Sequence, residues 1–81
     1  MNAGQRFIRQ TARILRVDLS STDCLRVARV FERYGGTWVG LFRGSVKDVQ
    51  KVKQIIRFLV KRGLVGKKPD QPADSGSNGT A

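Results

Sequence analysis

The chain has no histidine and one cysteine among its 81 residues. Without an imidazole or a close pair of carboxylates, no side chain is poised near neutral pH for catalytic proton transfer. The six acids are scattered, and two of them fall in the last thirteen residues. No base stands beside Cys24 or any serine in a way that suggests an activated nucleophile. An enzyme is therefore not expected, nor a cofactor, nor a small-molecule substrate. A lone Cys24 forbids an internal disulfide, and no Cys/His cluster is present to hold zinc, so the expected metal is none. Cys24 reads as a small core residue in a helical apolar stripe. No apolar run approaches the roughly 18 residues of a membrane span. Arginines interrupt every apolar cluster of the N-terminal region, which leaves no signal-peptide core.

What the chain has in excess is positive charge. Sixteen Lys and Arg face six Asp and Glu, for a net charge of +10. All sixteen lie in residues 1–68, with only four of the acids. Charge at that density repels itself unless a polyanion compensates it, so nucleic acid is the first partner to consider. An anionic membrane surface is the second, and a merely solubilising surface the third. The expected location is intracellular, cytoplasmic or nucleoid-associated, or in a viral setting.

The charge is organised by helices, above all by residues 45–62. At about 100° per residue, Val46, Val49, Val52, Ile55, Ile56, Leu59 and Val60 share one side. Lys47, Gln50, Lys51, Gln54, Arg57 and Lys61 carry the other, and Asp48 is the only acid in the run. Ser45 suits an N-cap and Gly63 a C-terminal stop. Phe58 departs from the pattern, lying by angle near Lys51, Gln54 and Arg62. A heptad-like series, Val49, Val52, Ile56 and Leu59, also offers a seam for a homodimer.

A second amphipathic helix is expected over residues 3–17, with Phe7, Ile8, Thr11, Ala12, Ile14 and Leu15 on one face. Arg6, Arg9, Arg13 and Arg16 stack opposite within an arc of about 80°. Like charges so spaced cost an isolated helix a few tenths of a kcal/mol per pair, which suits a use on phosphates. A solvated arginine face and an import presequence are the competing readings of this stretch. A third helix is expected over residues 22–34, started by Ser20 or Ser21 with Asp23 in its first turn and ended by Gly35-Gly36. It should bury Leu25, Val27, Ala28, Val30, Phe31 and Tyr34 and turn Arg26, Arg29 and Arg33 outward.

Residues 37–42 fit either a short strand or a one-turn helix capped by Thr37. As a strand they could pair with residues 64–67. Trp38 reads as a core edge or lid. Gly40 and Gly44 match no phosphate-binding loop. Residues 69–81 are polar and nearly free of apolar side chains, which is the composition of a disordered tail.

The run Ile55-Ile-Arg-Phe-Leu-Val-Lys-Arg-Gly-Leu-Val-Gly-Lys-Lys68 resembles the end of the recognition helix in winged-helix proteins of the helix-turn-helix class. The matching positions are Ile56, Leu59, Gly63, Leu64 and Val65, in a run of 14 of the 81 residues. The resemblance implies a helix in the major groove with Lys47, Gln50, Lys51 and Gln54 nearest the bases. No returning strand follows Lys68, so the wing is absent or vestigial.

The expected fold is thus mainly α. It is a three-helix, helix-turn-helix-like domain (residues 1–68) with at most a minimal two-stranded β element, a truncated winged helix, and a disordered tail (69–81). The expected function is non-enzymatic binding of double-stranded DNA, as a small transcriptional regulator or a nucleoid or viral accessory factor. Phosphate contacts are assigned to Arg6, Arg9, Arg13, Arg26, Arg29, Arg33, Lys51, Arg57, Lys61, Lys67 and Lys68, and base contacts to Lys47, Gln50 and Gln54. RNA binding fits the charge equally well, although aromatic residues are only 7 % of the chain, a mild mark against single-strand recognition. A further alternative is docking of an acidic protein through Phe58 and the 45–62 helix.

Overall fold

The computed structural model describes residues 2–66. Lys67, Lys68 and the expected tail lie outside the described residues. Four helices follow in order, α1 (Ala3–Ile14), α2 (Ser21–Arg33), α3 (Trp38–Phe42) and α4 (Val46–Lys61). The described part is mainly helical, and no strand occurs in it.

Each helix starts on a side-chain cap. The Asn2 side chain accepts from the Gln5 amide at 2.9 Å. Ser20 and Asp23 form a reciprocal capping box, Ser20 Oγ taking the Asp23 amide and Asp23 the Ser20 amide. Thr37 and Ser45 accept from Gly40 and Asp48. These bonds satisfy amides that the first helical turn leaves without partners.

The helices also end alike. After each, one residue takes a left-handed conformation: Arg16, Gly35, Gly44 and Gly63, with φ of 61°, 82°, 79° and 73°. The next amide returns to the last turn, as in Val17 N–H to Ala12 O and Leu64 N–H to Leu59 O, both 2.9 Å. This satisfies carbonyls that would otherwise be orphaned. At α1 the position is filled by Arg16, and the helix ends at Ile14 rather than at Val17. Arg16 therefore leaves the arginine stripe that its spacing suggested. The benefit of the early stop is that Leu19 reaches the core.

The core closes around Phe31, with Ile8, Ala12, Leu19, Cys24, Val27, Leu41, Val52, Ile56, Leu59 and Val65 about it. α1, α2 and α4 each pack on the other two, and α3 packs on α4. Trp38 closes one edge, its ring 4.9 Å from that of Phe31. Its indole N–H donates to Glu32 at 2.6 Å. Gly4 is what lets the indole lie against α1, since a Cβ there would stand 2.9 Å from Cζ3. The lid role expected of Trp38 holds.

Several expected core residues are outside it. Ile14 is 70 %, Tyr34 65 % and Val46 74 % exposed, and Leu25 is 39 % exposed. Three of them sit at a helix terminus, where the right face no longer has a neighbour to cover it. The two-stranded clip expected from residues 37–42 and 64–67 does not form among the described residues. Residues 38–42 are helical, and 64–66 find partners on α2 instead: Leu64 O accepts from Arg26 Nη1 at 2.9 Å, and the Gly66 amide donates to Asp23 at 3.1 Å. Val52, Ile56 and Leu59 are buried within the chain, so the heptad-like seam faces its own core.

Two expectations follow. Arg16→Gly removes the cost of a left-handed side-chain-bearing residue, partly offset by a freer unfolded chain, and should stabilise by up to about 1 kcal/mol. Urea denaturation with an unchanged slope and a higher midpoint is the expected reading; a lower midpoint contradicts this view of the turn. The second concerns Cys24, whose thiol pKa is raised by burial, an effect that the nearby Arg9 guanidinium partly opposes. A raised folded-state value leaves stability intact below the unfolded thiol's value and erodes it above. Stability relative to Cys24→Ala should therefore decline as pH rises beyond about 9, and a flat difference would refute the assignment.

Candidate nucleic-acid interface

α3 and α4 form a compact unit joined by the turn Arg43-Gly44-Ser45. The turn reverses sharply because Gly44 takes φ 79° without a Cβ penalty. The Ser45 amide then returns to Gly40 O at 2.9 Å. What fixes the two helices to each other is Asp48. Only 7 % exposed, it accepts from the Thr37 amide at 3.3 Å and approaches the Thr37 hydroxyl at 3.4 Å. A carboxylate in the first turn of α4 also meets the positive end of that helix. Gly40 leaves room for it, since a Cβ there would collide with the carboxylate. The single acid of α4 is thus a structural clamp, a role that its place in a basic run did not reveal.

On the side of α4 away from the core, Lys47, Gln50, Gln54, Arg57 and Lys61 are all exposed. They form one row, brought together as the helical spacing required. Lys51 lies at its flank, half-buried, and its ammonium donates to Tyr34 O at 2.8 Å. That carbonyl belongs to the cap of α2, where the helix end is negative and a cation is favoured. Two more of the residues assigned to phosphate hold backbone carbonyls. Arg9 Nε donates to Leu19 O at 3.2 Å, and Arg26 reaches Leu64 O.

The remaining arginines divide between two other faces. Arg6 and Arg13 are exposed on α1, beside a shallow cleft of about 420 Å³ that also involves Arg9, Gln10 and Ser21. Arg29 and Arg33 are exposed on α2, along a smaller cleft of about 200 Å³ with Thr22 and Arg26. The basic residues therefore spread over several faces, although Arg33 of α2 and Lys51 of α4 edge one groove.

A groove that the sequence did not disclose runs between α2 and α4, with a volume of about 510 Å³. Ile55 and Leu59 form its floor; Val30, Tyr34 and Phe58 its apolar walls; Arg33, Lys51 and Gln54 its polar edge. Phe58 is 53 % exposed, and the Arg62 guanidinium lies 4.7 Å from its ring centre. The off-pattern angle of Phe58 was the one sequence signal for this groove. The exposure of Tyr34 had none.

No protein family model, curated protein or solved structure matches this chain. Function rests on the geometry alone. Among the described residues, no three or more of His, Cys, Asp and Glu gather into a possible metal site. No described helix is long and apolar enough to cross a membrane. What the arrangement offers chemically is fixed positive charge and amide side chains on rigid helices.

The clamp can be checked directly. Asp48→Ala leaves the Thr37 amide without its acceptor and should cost about 1–3 kcal/mol. In amide hydrogen exchange, Thr37 to Leu41 should lose more protection than the core of α2. Uniform loss across the chain would mean that Asp48 stabilises the fold without setting the α3–α4 unit.

Proposed function

We propose that this is a non-enzymatic DNA-binding protein of the helix-turn-helix type, with α3, the 43–45 turn and α4 as the motif. The observation that carries the reading is the exposed row Lys47, Gln50, Gln54, Arg57 and Lys61 on a helix whose start is locked to α3 by Asp48. A helix with its side chains is about 10–12 Å across, and the major groove about 12 Å wide. With the N-terminal and middle turns of α4 in the groove, Lys47, Gln50 and Gln54 address base edges. Glutamine pairs two-pronged with adenine, and lysine donates to guanine acceptors. Arg57 and Lys61, one and two turns on, meet the phosphates flanking the groove.

The winged-helix resemblance supports this reading at the positions that close α4. Ile56, Leu59 and Val65 are buried and Gly63 makes the left-handed stop. α3, at five residues, is shorter than is usual for the helix before the recognition helix. No wing strand is present up to residue 66. Affinity then rests on α4 and on charge, which favours a small regulator or an accessory factor.

A second reading draws on the α2–α4 groove, where an acidic protein segment with an apolar anchor would meet Tyr34 and Phe58 and a rim of Arg33 and Lys51. The two readings separate by mutation. Under the DNA reading, affinity for a mixed-sequence duplex falls steeply with salt, by about 0.9 log units per phosphate contact. Arg57→Ala with Lys61→Ala should flatten that slope by about 1.8, while Phe58→Ala changes it little. Tighter binding to a matched RNA duplex or single strand would assign the chain to RNA instead. Failure to bind any of the three at low salt, with partner binding lost in Phe58→Ala, would leave the protein-docking reading.

A further inference from the structure

The acids of the described chain are mostly spent on the fold. Asp23 caps α2 and holds Gly66, Glu32 binds the Trp38 indole, and Asp48 clamps Thr37. Only Asp18, in the link after α1, makes no such bond among the described residues. The arginine row of α1 is thus left with little local compensation, although like charges three and four apart repel along a helix.

The row's position matters as much as its charge. α1, α2 and α4 pack pairwise around one core, so their outer faces diverge from one another. The buried face of α1 holds Gly4, Ile8, Thr11 and Ala12, and that of α4 Val52, Ile55, Ile56 and Leu59. Arg6 and Arg13 lie opposite the first set, Gln50 and Arg57 opposite the second. A duplex seated on the α4 row leaves the α1 row turned away from it, because each row lies opposite its own helix's buried face.

We propose that the α1 row is a second, phosphate-directed contact, so that one chain bridges two segments of duplex. The proposal rests on the α4 reading for its first contact. α1 offers a shallow cleft edged by Arg6, Arg9 and Arg13. Arginine suits phosphate because its planar fork donates two parallel hydrogen bonds to the oxygens. Arg9 is half-buried and anchored, its Nε on Leu19 O, which leaves Arg6 and Arg13 as the exposed guanidiniums of the cleft. The second contact reads no sequence: it recognises the backbone that every duplex shares.

The test uses the full chain and two copies of a mixed-sequence duplex, one fixed to beads and one fluorescent and free. The wild-type chain should retain the free duplex on the beads. Arg6→Ala with Arg13→Ala, both exposed, should still bind a single duplex in solution but lose at least tenfold in capture of the second. Arg6→Lys with Arg13→Lys keeps the charge and should keep most of the capture, which separates a lost contact from a damaged fold. Lys47→Ala with Arg57→Ala should lose capture too, because it removes the other contact. Capture that survives Arg6→Ala with Arg13→Ala would belong to self-association and overturn the proposal, as would a wild-type chain that binds one duplex and never retains a second. The α4 reading fails differently: Lys47→Ala with Arg57→Ala would then leave both single-duplex affinity and capture unchanged.

Discussion

Every long helix in this chain must give one face to a single core around Phe31, and the face left over is mostly cation. That division follows from size. A domain this small buries too little surface to hide a second layer, so its stability depends on one set of apolar contacts. The rest of the structure answers to it. Capping side chains, left-handed stops and an indole lid all shorten or seal elements so that three helices can close on one aromatic ring. Charge is what the outer faces have in common, and its direction is what the core decides.

Where cations end up is not the same as where cations occur. Arg9, Arg26 and Lys51 spend donors on the carbonyls of Leu19, Leu64 and Tyr34. Each of those carbonyls lies at or just beyond a helix terminus, where no intrahelical amide is available. A guanidinium or ammonium offers several donors, so one bond to the backbone leaves others for solvent or phosphate. Such residues stiffen the frame on which freer ones, Arg6, Arg13, Arg29, Arg57 and Lys61, are displayed. Counting basic residues in the sequence overstates the charge that is free to meet a ligand.

The sequence was most legible where a rule concerns one helix at a time. The basic face of residues 45–62, the Ser45 cap, a helix start at Ser20 or Ser21 and the stops at Gly35 and Gly63 could be read directly. They depend on periodicity and local hydrogen bonding, which are written into neighbouring residues. It was least legible where burial depends on what another element does. Ile14, Tyr34 and Val46 have apolar character and suitable angles, yet each lies past the reach of a neighbour. Leu19 and Val65 are core residues without any periodic context. The left-handed Arg16 could not be foreseen, because arginine is a poor candidate for that position. Asp48 was visible only as a lone acid, because its partner Thr37 sits on another element. The candidate interface divides the same way: the α4 row was readable, whereas the divergence of the three basic faces and the α2–α4 groove needed the packing.

One oxygen of Asp23 accepts both the Ser20 amide, at the start of α2, and the Gly66 amide, at the last described residue. The two donors lie on segments far apart in sequence, so the bond closes a large loop and is entropically costly to form early. Once formed, it makes the two segments one opening unit. Fraying of residues 64–66 loosens the first turn of α2, and melting of that turn releases residues 64–66 in return. Residues 64–66 and the beginning of α2 should thus exchange their amides with solvent as a single cooperative unit. The N-terminal half of α4, tied instead to Thr37 through Asp48, stays outside that fluctuation.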